Sequence, residues 1–188
     1  MRTFSRILVF LVIVSLGALP VAAQDNLTET YSSADGSLSF NYPAGWVAWG
    51  YGNDFGEVAN SEAAHQVINA NGQLASGSVG ISVTAVLFAS PDEVVTAEEM
   101  AASMQAAFGD TAGDFGAQYG ITVELINPPA FVAELDSAVE MTYQRTGTGF
   151  SEEIYNIEMI SGSTGLLEIN ATAPNGETAQ YRDLVIAL

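Results

Sequence analysis

Between Ile121 and Thr172 the chain repeats one pattern four times. Ile121, Val123 and Leu125 interleave with Thr122 and Glu124. After Pro128-Pro129, the run Phe131 to Leu135 leads into Val139 to Arg145, and Glu153 to Ile160 and Leu166 to Thr172 follow across short glycine-bearing turns. Period-two alternation predicts strands, and connections too short for a crossover helix force neighbouring strands to run antiparallel. This meander constrains the fold more than any other feature of the sequence.

The first half adds shorter strands. Thr30 to Ser33 and Leu38 to Tyr42 flank the turn Ala34-Asp35-Gly36, and Pro43-Ala44-Gly45 interrupts before an aromatic strand from Trp46 to Tyr51. Gly52 to Gly56 reads as a loop, Val67 to Asn69 as a short strand, and Ile81 to Phe88 as a strand covered increasingly on both sides. A helix follows. Ser90-Pro91-Asp92-Glu93 and Thr96-Ala97-Glu98-Glu99 both have the form of capping boxes. Ala97, Met100, Ala101, Met104 and Phe108 recur at helical spacing, and Gly109 supplies a stop. Asn175 precedes a closing helix with Tyr181, Leu184, Val185 and Leu188 on one face. The expected class is α+β, an antiparallel β-sheet flanked by helices.

The segment Asp35-Gly36-Ser37-Leu38-Ser39-Phe40-Asn41-Tyr42-Pro43-Ala44-Gly45-Trp46 resembles the opening of PsbP-like domains. Its pattern is an exposed turn, a strand alternating into an aromatic-Pro pair, then a small residue and Trp. The Thr96 helix, Asn127-Pro128-Pro129-Ala130 before a strand, the meander and the closing helix also have counterparts there, so the resemblance extends over residues 28 to 188. It implies an α/β/α sandwich. Family members continue the final helix by another turn, whereas this sequence stops at Leu188. Photosystem binding by plant and cyanobacterial members is not implied, because no residue here carries it.

Met1 to Arg6 holds two Arg, Ile7 to Leu19 is almost unbroken apolar, and Val21-Ala22-Ala23 places small residues before Gln24. This is the form of a secretory signal peptide over residues 1–23, cleaved after Ala23. Residues 24–188 then form one domain, secreted or periplasmic. The apolar run falls short of the roughly 20 residues a membrane span needs. The chain has no Cys to carry a lipid anchor, a disulfide or a thiolate metal site. Its 22 acids face four Arg and no Lys, and two of those Arg leave with the leader. Such a surface repels nucleic acid, so the expected partner is a protein or a small molecule.

No Ser stands in a Gly-x-Ser-x-Gly elbow, since Ser78 and Ser163 both have Ser at the first Gly position. Gly50-x-Gly52 and Gly147-x-Gly149 lack the Lys and the following helix of a phosphate loop. Asp110 and Asp114 fall in a Gly-rich loop, where Ala112 stands at a position a calcium loop fills with oxygen. His65 is the only imidazole. The leading reading is a non-catalytic binding or accessory protein. The alternative is a small secreted hydrolase using carboxylates and His65, which requires His65 beside a carboxylate and a Ser at an open cleft.

One constellation bears on a ligand. Hairpins centred near Gly149 and Ser163 oppose Val139, Met141 and Tyr143 to Met159, Ile157 and Tyr155, and those to Leu167, Ile169 and Ala171. The opposite face then carries Thr142, Asn156 and Asn170 in one row and Glu140, Glu158 and Glu168 in the next. Carboxylates about 5 Å apart across strands repel. A bound cation, shared protons, or Arg182 reaching over from the last helix would each relieve them. The expected site is a weak one for a hard cation such as Ca²⁺ on Glu140, Glu158 and Glu168, with no other cofactor.

Overall fold

The structure, a computed structural model, describes residues 27–87, 96–135, 137–161 and 165–188. The expected leader and the Ser90 capping box lie outside the described residues. No described helix is long and apolar enough to cross a membrane.

Seven strands form one antiparallel sheet in the order β3-β4-β5-β9-β8-β7-β6. They are β3 (Val47–Tyr51), β4 (Phe55–Ala59), β5 (Gly80–Leu87), β6 (Thr122–Phe131), β7 (Ala138–Gly147), β8 (Phe150–Ser161) and β9 (Gly165–Pro174). A separate hairpin joins β1 (Glu29–Ser32) to β2 (Ser39–Tyr42). Helices are α1 (Glu62–Asn69), α2 (Ala97–Tyr119) and α3 (Arg182–Ala187), the last entered through a 3₁₀ turn at Thr178–Tyr181. This is the α+β class expected from the meander.

Both faces of the sheet are covered. On one, which we call the inner face, Leu38, Phe40 and Tyr42 of β2 and Leu184 and Val185 of α3 cluster with Ile81, Val83, Ile157 and Ile169. The hairpin approaches closely because Gly50 and Gly56 oppose each other across β3 and β4. A Cβ on either would strike the Tyr31 ring, whose hydroxyl donates to the Phe55 carbonyl at 3.0 Å. On the outer face, Met100 and Met104 of α2 pack against Val139, Met141, Ile160 and Leu166. Farther along that face, α1 covers Ala59 and Trp49.

Several expectations are corrected. Val67 to Asn69 belong to helix α1 and not to a short strand, and that helix is started by Ser61, whose hydroxyl accepts from the Ala64 N–H at 3.1 Å. Gly52 to Gly56 is the turn and start of a hairpin, β3 to β4. Thr96 and Glu99 do form a reciprocal capping box, but α2 runs through Gly109 to Tyr119 and ends at Gly120, whose φ is 65°. Asp110 and Asp114 therefore lie on helix backbone and not in a loop. Gly109, Gly113 and Gly116 all stand inside α2, and an interior Gly costs only about 1 kcal/mol, too little by itself to stop a helix.

Candidate functional site

The register across β7, β8 and β9 decides which side chains share a face. Between β8 and β9, Asn156 opposes Asn170, Ile157 opposes Ile169, and Glu158 opposes Glu168, as the sequence suggests. Between β7 and β8, however, Val139 opposes Glu158, Glu140 opposes Ile157, and Thr142 opposes Tyr155. This is one residue away from the expected pairing. Gly147 pairs with Phe150, so Thr148-Gly149 is a two-residue turn with Gly149 at φ 85°. A one-residue slip inverts a strand. Glu140 and Thr142 consequently lie on the inner face, and Glu158 and Glu168 on the outer one. The expected row of three carboxylates does not exist.

Glu140 instead meets Arg182, the residue the sequence offers as a source of relief. Arg182 Nε and Nη2 donate to the two Glu140 oxygens at 2.9 and 3.1 Å, and Nη1 and Nη2 donate to Glu134 at 3.1 Å each. The Tyr155 hydroxyl also donates to Glu140. Burial and the neighbouring carboxylate push the Tyr155 hydroxyl far above the ordinary phenol range. The paired carboxylates of Glu134 and Glu140 likewise raise Arg182. Glu140, Tyr155 and Arg182 border a cleft of about 200 Å³ whose wall includes Asn127, Thr142, Glu153 and Thr178. Glu153 accepts from the Gly176 N–H at 2.9 Å and from the Thr178 hydroxyl. The cleft's ionic groups are thus spent on one another. Their work is to tie the 3₁₀ turn, α3 and the turn bearing Glu134 to the sheet.

His65 stacks on Trp49, with ring centroids 3.5 Å apart and planes at 31°. Its Nδ1 is buried without a hydrogen bond and lies 3.9 Å from Glu62. The nearby Ser61 hydroxyl is occupied as the α1 cap. Trp49 opposes Glu57 across β3 and β4. Burial pushes Glu57 up to about 7. The Trp49 indole N–H lies near enough to temper that rise but outside hydrogen-bond geometry.

The remaining constellation sits at the centre of the outer face. Ser82, Asn170 and Asn156 form one row across β5, β9 and β8, and Thr84, Glu168 and Glu158 form the next. The Asn170 amide donates to Glu168 at 2.9 Å, and the Asn156 amide donates to Asn170 at 2.9 Å and reaches Glu168 at 3.4 Å. Burial first, and the Glu168 charge second, push Glu158 up to about 7. The sequence locates four of these six residues through the β8–β9 pairing. Ser82 and Thr84 were hidden because neighbourhood of β5 and β9 joins segments far apart in the chain.

No protein-family model matches the chain, and no curated protein matches it in sequence. Among solved structures it is similar to a Bacteroides thetaiotaomicron VPI-5482 protein at 14% identity and TM-score 0.45. That match covers 86% of this chain and 47% of the other, so the chain spans about half of that protein's length. It is similar to cyanobacterial PsbP (CyanoP) from Synechocystis sp. PCC 6803 at 15% identity and TM-score 0.45, covering 84% and 86%. It is also similar to the Saccharomyces cerevisiae Ran-binding protein Mog1p at 11% identity and TM-score 0.47, covering 82% of each chain.

Proposed function

We propose that this is an exported, non-catalytic binding or accessory protein, with a protein or small molecule as its partner. The state of His65 carries this reading. An imidazole acting as general base must hold a tautomer fixed by one neighbour and reach a nucleophile with its other nitrogen. His65 lies against Trp49 with the two rings tilted by 31°, and the nearest hydroxyl in sequence, that of Ser61, is engaged as a helix cap. The excess of 22 acids over four Arg gives the surface a long-range field that favours cationic partners.

The test compares the purified protein with its His65→Ala variant. Both are incubated with p-nitrophenyl acetate, p-nitrophenyl glycosides and casein across about pH 5 to 8, the range in which imidazole changes charge. Neither should hydrolyse any of them above the buffer rate. Hydrolysis by the wild type that His65→Ala removes would overturn the reading in favour of a hydrolase. For export, protein recovered outside the cytoplasm should begin at Gln24, and recovery with Met1 intact inside the cell would refute it.

A further inference from the structure

The inner face of the sheet is not completely filled. Between β2, α3 and the strands β5, β8 and β9 lies a cavity of about 130 Å³. Leu38 and Phe40 line it from β2, Val83, Ile157 and Ile169 from the sheet, and Val185 from α3. Each of these residues is less than a tenth exposed, so the space is cut into the core itself. Folded interiors hold few voids larger than one water, and this one is several times a water's share of liquid volume, about 30 Å³. Left empty, such a void destabilises in proportion to its volume.

Water is a poor occupant. No charged side chain lines the cavity, and its one hydroxyl, that of Ser39, is engaged with the Tyr31 carbonyl at 3.0 Å and the Ser32 hydroxyl at 3.1 Å. Cavities walled by Leu, Ile and Phe stay dry. The lining residues that solvent reaches, Leu135, Met159 and Leu167, are apolar as well. They mark a way in, and Met159 has the unbranched, adaptable side chain that re-packs around a guest. The β2 wall can also give way, because the β1–β2 hairpin shares no backbone ladder with the seven-stranded sheet.

We infer that this cavity binds a small uncharged apolar molecule of about the size of benzene. The inference rests on reading the chain as a binding protein and names its ligand class. Volume sets the size, since a dry cavity of about 150 Å³ accepts benzene. The lining sets the chemistry, since a charge or hydroxyl on the ligand would be buried there without a partner. The chain's acidic field, which repels anions, does not act on an uncharged ligand.

The probes are benzene and its charged counterpart benzoate, each at about 10 mM in thermal melts of the purified protein. A Kd of about 1 mM for a ligand of about six heavy atoms gives a rise in Tm of about 4 °C at that tenfold excess. Benzoate should give none. Val83→Phe fills the cavity from the sheet and Leu167→Phe from its rim, and both should lose the benzene rise. Met104→Leu, in the cluster under α2 on the outer face, is the control and should keep it. No benzene rise in the wild type would overturn the inference. So would an equal rise with benzoate, or one that both filled variants retain, since neither needs this cavity. Should the filled variants fail to fold, nuclear Overhauser contacts from benzene to the methyls of Ile157, Ile169 and Val185 in the wild type locate the ligand, and their absence would overturn the inference as well. None of these results touches the His65 hydrolysis test, so loss of the apolar site and loss of the binding-protein reading are separable.

Discussion

Glu158→Gln should raise stability above neutral pH and leave it nearly unchanged in mild acid. In the folded chain Glu158 titrates at about 7 rather than 4.5, because burial and the facing Glu168 disfavour its charge. Between those values the folded state holds a proton that the unfolded state has released. Stability is therefore fully present below about pH 4.5 and falls as pH rises through about 7. A shift of about 2.5 units is worth at most about 3.4 kcal/mol. The carboxyl is only partly enclosed, so solvent screening leaves about half of that, roughly 1.5 to 2 kcal/mol. For a chain of this size that is about 5 °C in Tm. The groups facing Glu158 are Glu168 from β9 and Val139 from β7, with Thr84 beyond Glu168 and Met100 and Met104 of α2 over Val139. The protonated acid and the amide are near-isosteres, so wild type and variant should melt together near pH 5. Near pH 8, in EGTA, the variant should melt about 5 °C higher. Glu57 also titrates near 7, but it is common to both proteins and cancels in the difference. Parallel curves at both pH values would refute the argument that the opposed carboxylates cannot both be charged. A variant less stable near pH 8 would do so more strongly.

Other perturbations test the frame around the site. Arg182→Met keeps the side-chain stem but strands Glu140 beside Tyr155, and should lower Tm by about 5 °C. Adding Glu140→Gln should restore part of that loss, and failure to recover any would deny the pairing its stabilising role. Ile157→Ala empties a fully buried position at the centre of the inner face and should cost about 3 to 4 kcal/mol by denaturant melts at unchanged m-value. Gly50→Ala places a methyl against the Tyr31 hydroxyl and 2.6 Å from the Phe55 carbonyl oxygen, and should cost about 2 kcal/mol. In a Tyr31→Ala background the part due to Tyr31 should vanish while the part due to the Phe55 carbonyl stays, and an undiminished cost there would mean the hairpin does not press on the sheet.

The meander, its antiparallel sense and the β8–β9 register were legible because each is written locally, in alternation and short turns. Register between β7 and β8 was not, and the reason is physical. Pattern fixes register when one face is wet, because a slip then exposes apolar side chains. Here α2 covers the outer face and α3 with the β1–β2 hairpin covers the inner one, so Val139, Met141 and Tyr143 are sheltered whichever way β7 faces. The discriminating signal lay in the turn, where Thr148-Gly149 makes a two-residue hairpin with Gly at positive φ. Taking Gly149 as the centre adds one residue and turns Glu140 to the wrong side. The same double coverage explains what the slip did to the candidate site. With Glu140 inward, Arg182 finds its partner on the inner face and is lost to the outer one, where burial and the facing Glu168 push Glu158 up to about 7. Among the described residues Arg145 pairs with Glu152 and Arg182 with Glu134 and Glu140, so neither arginine pairs with Glu158 or Glu168.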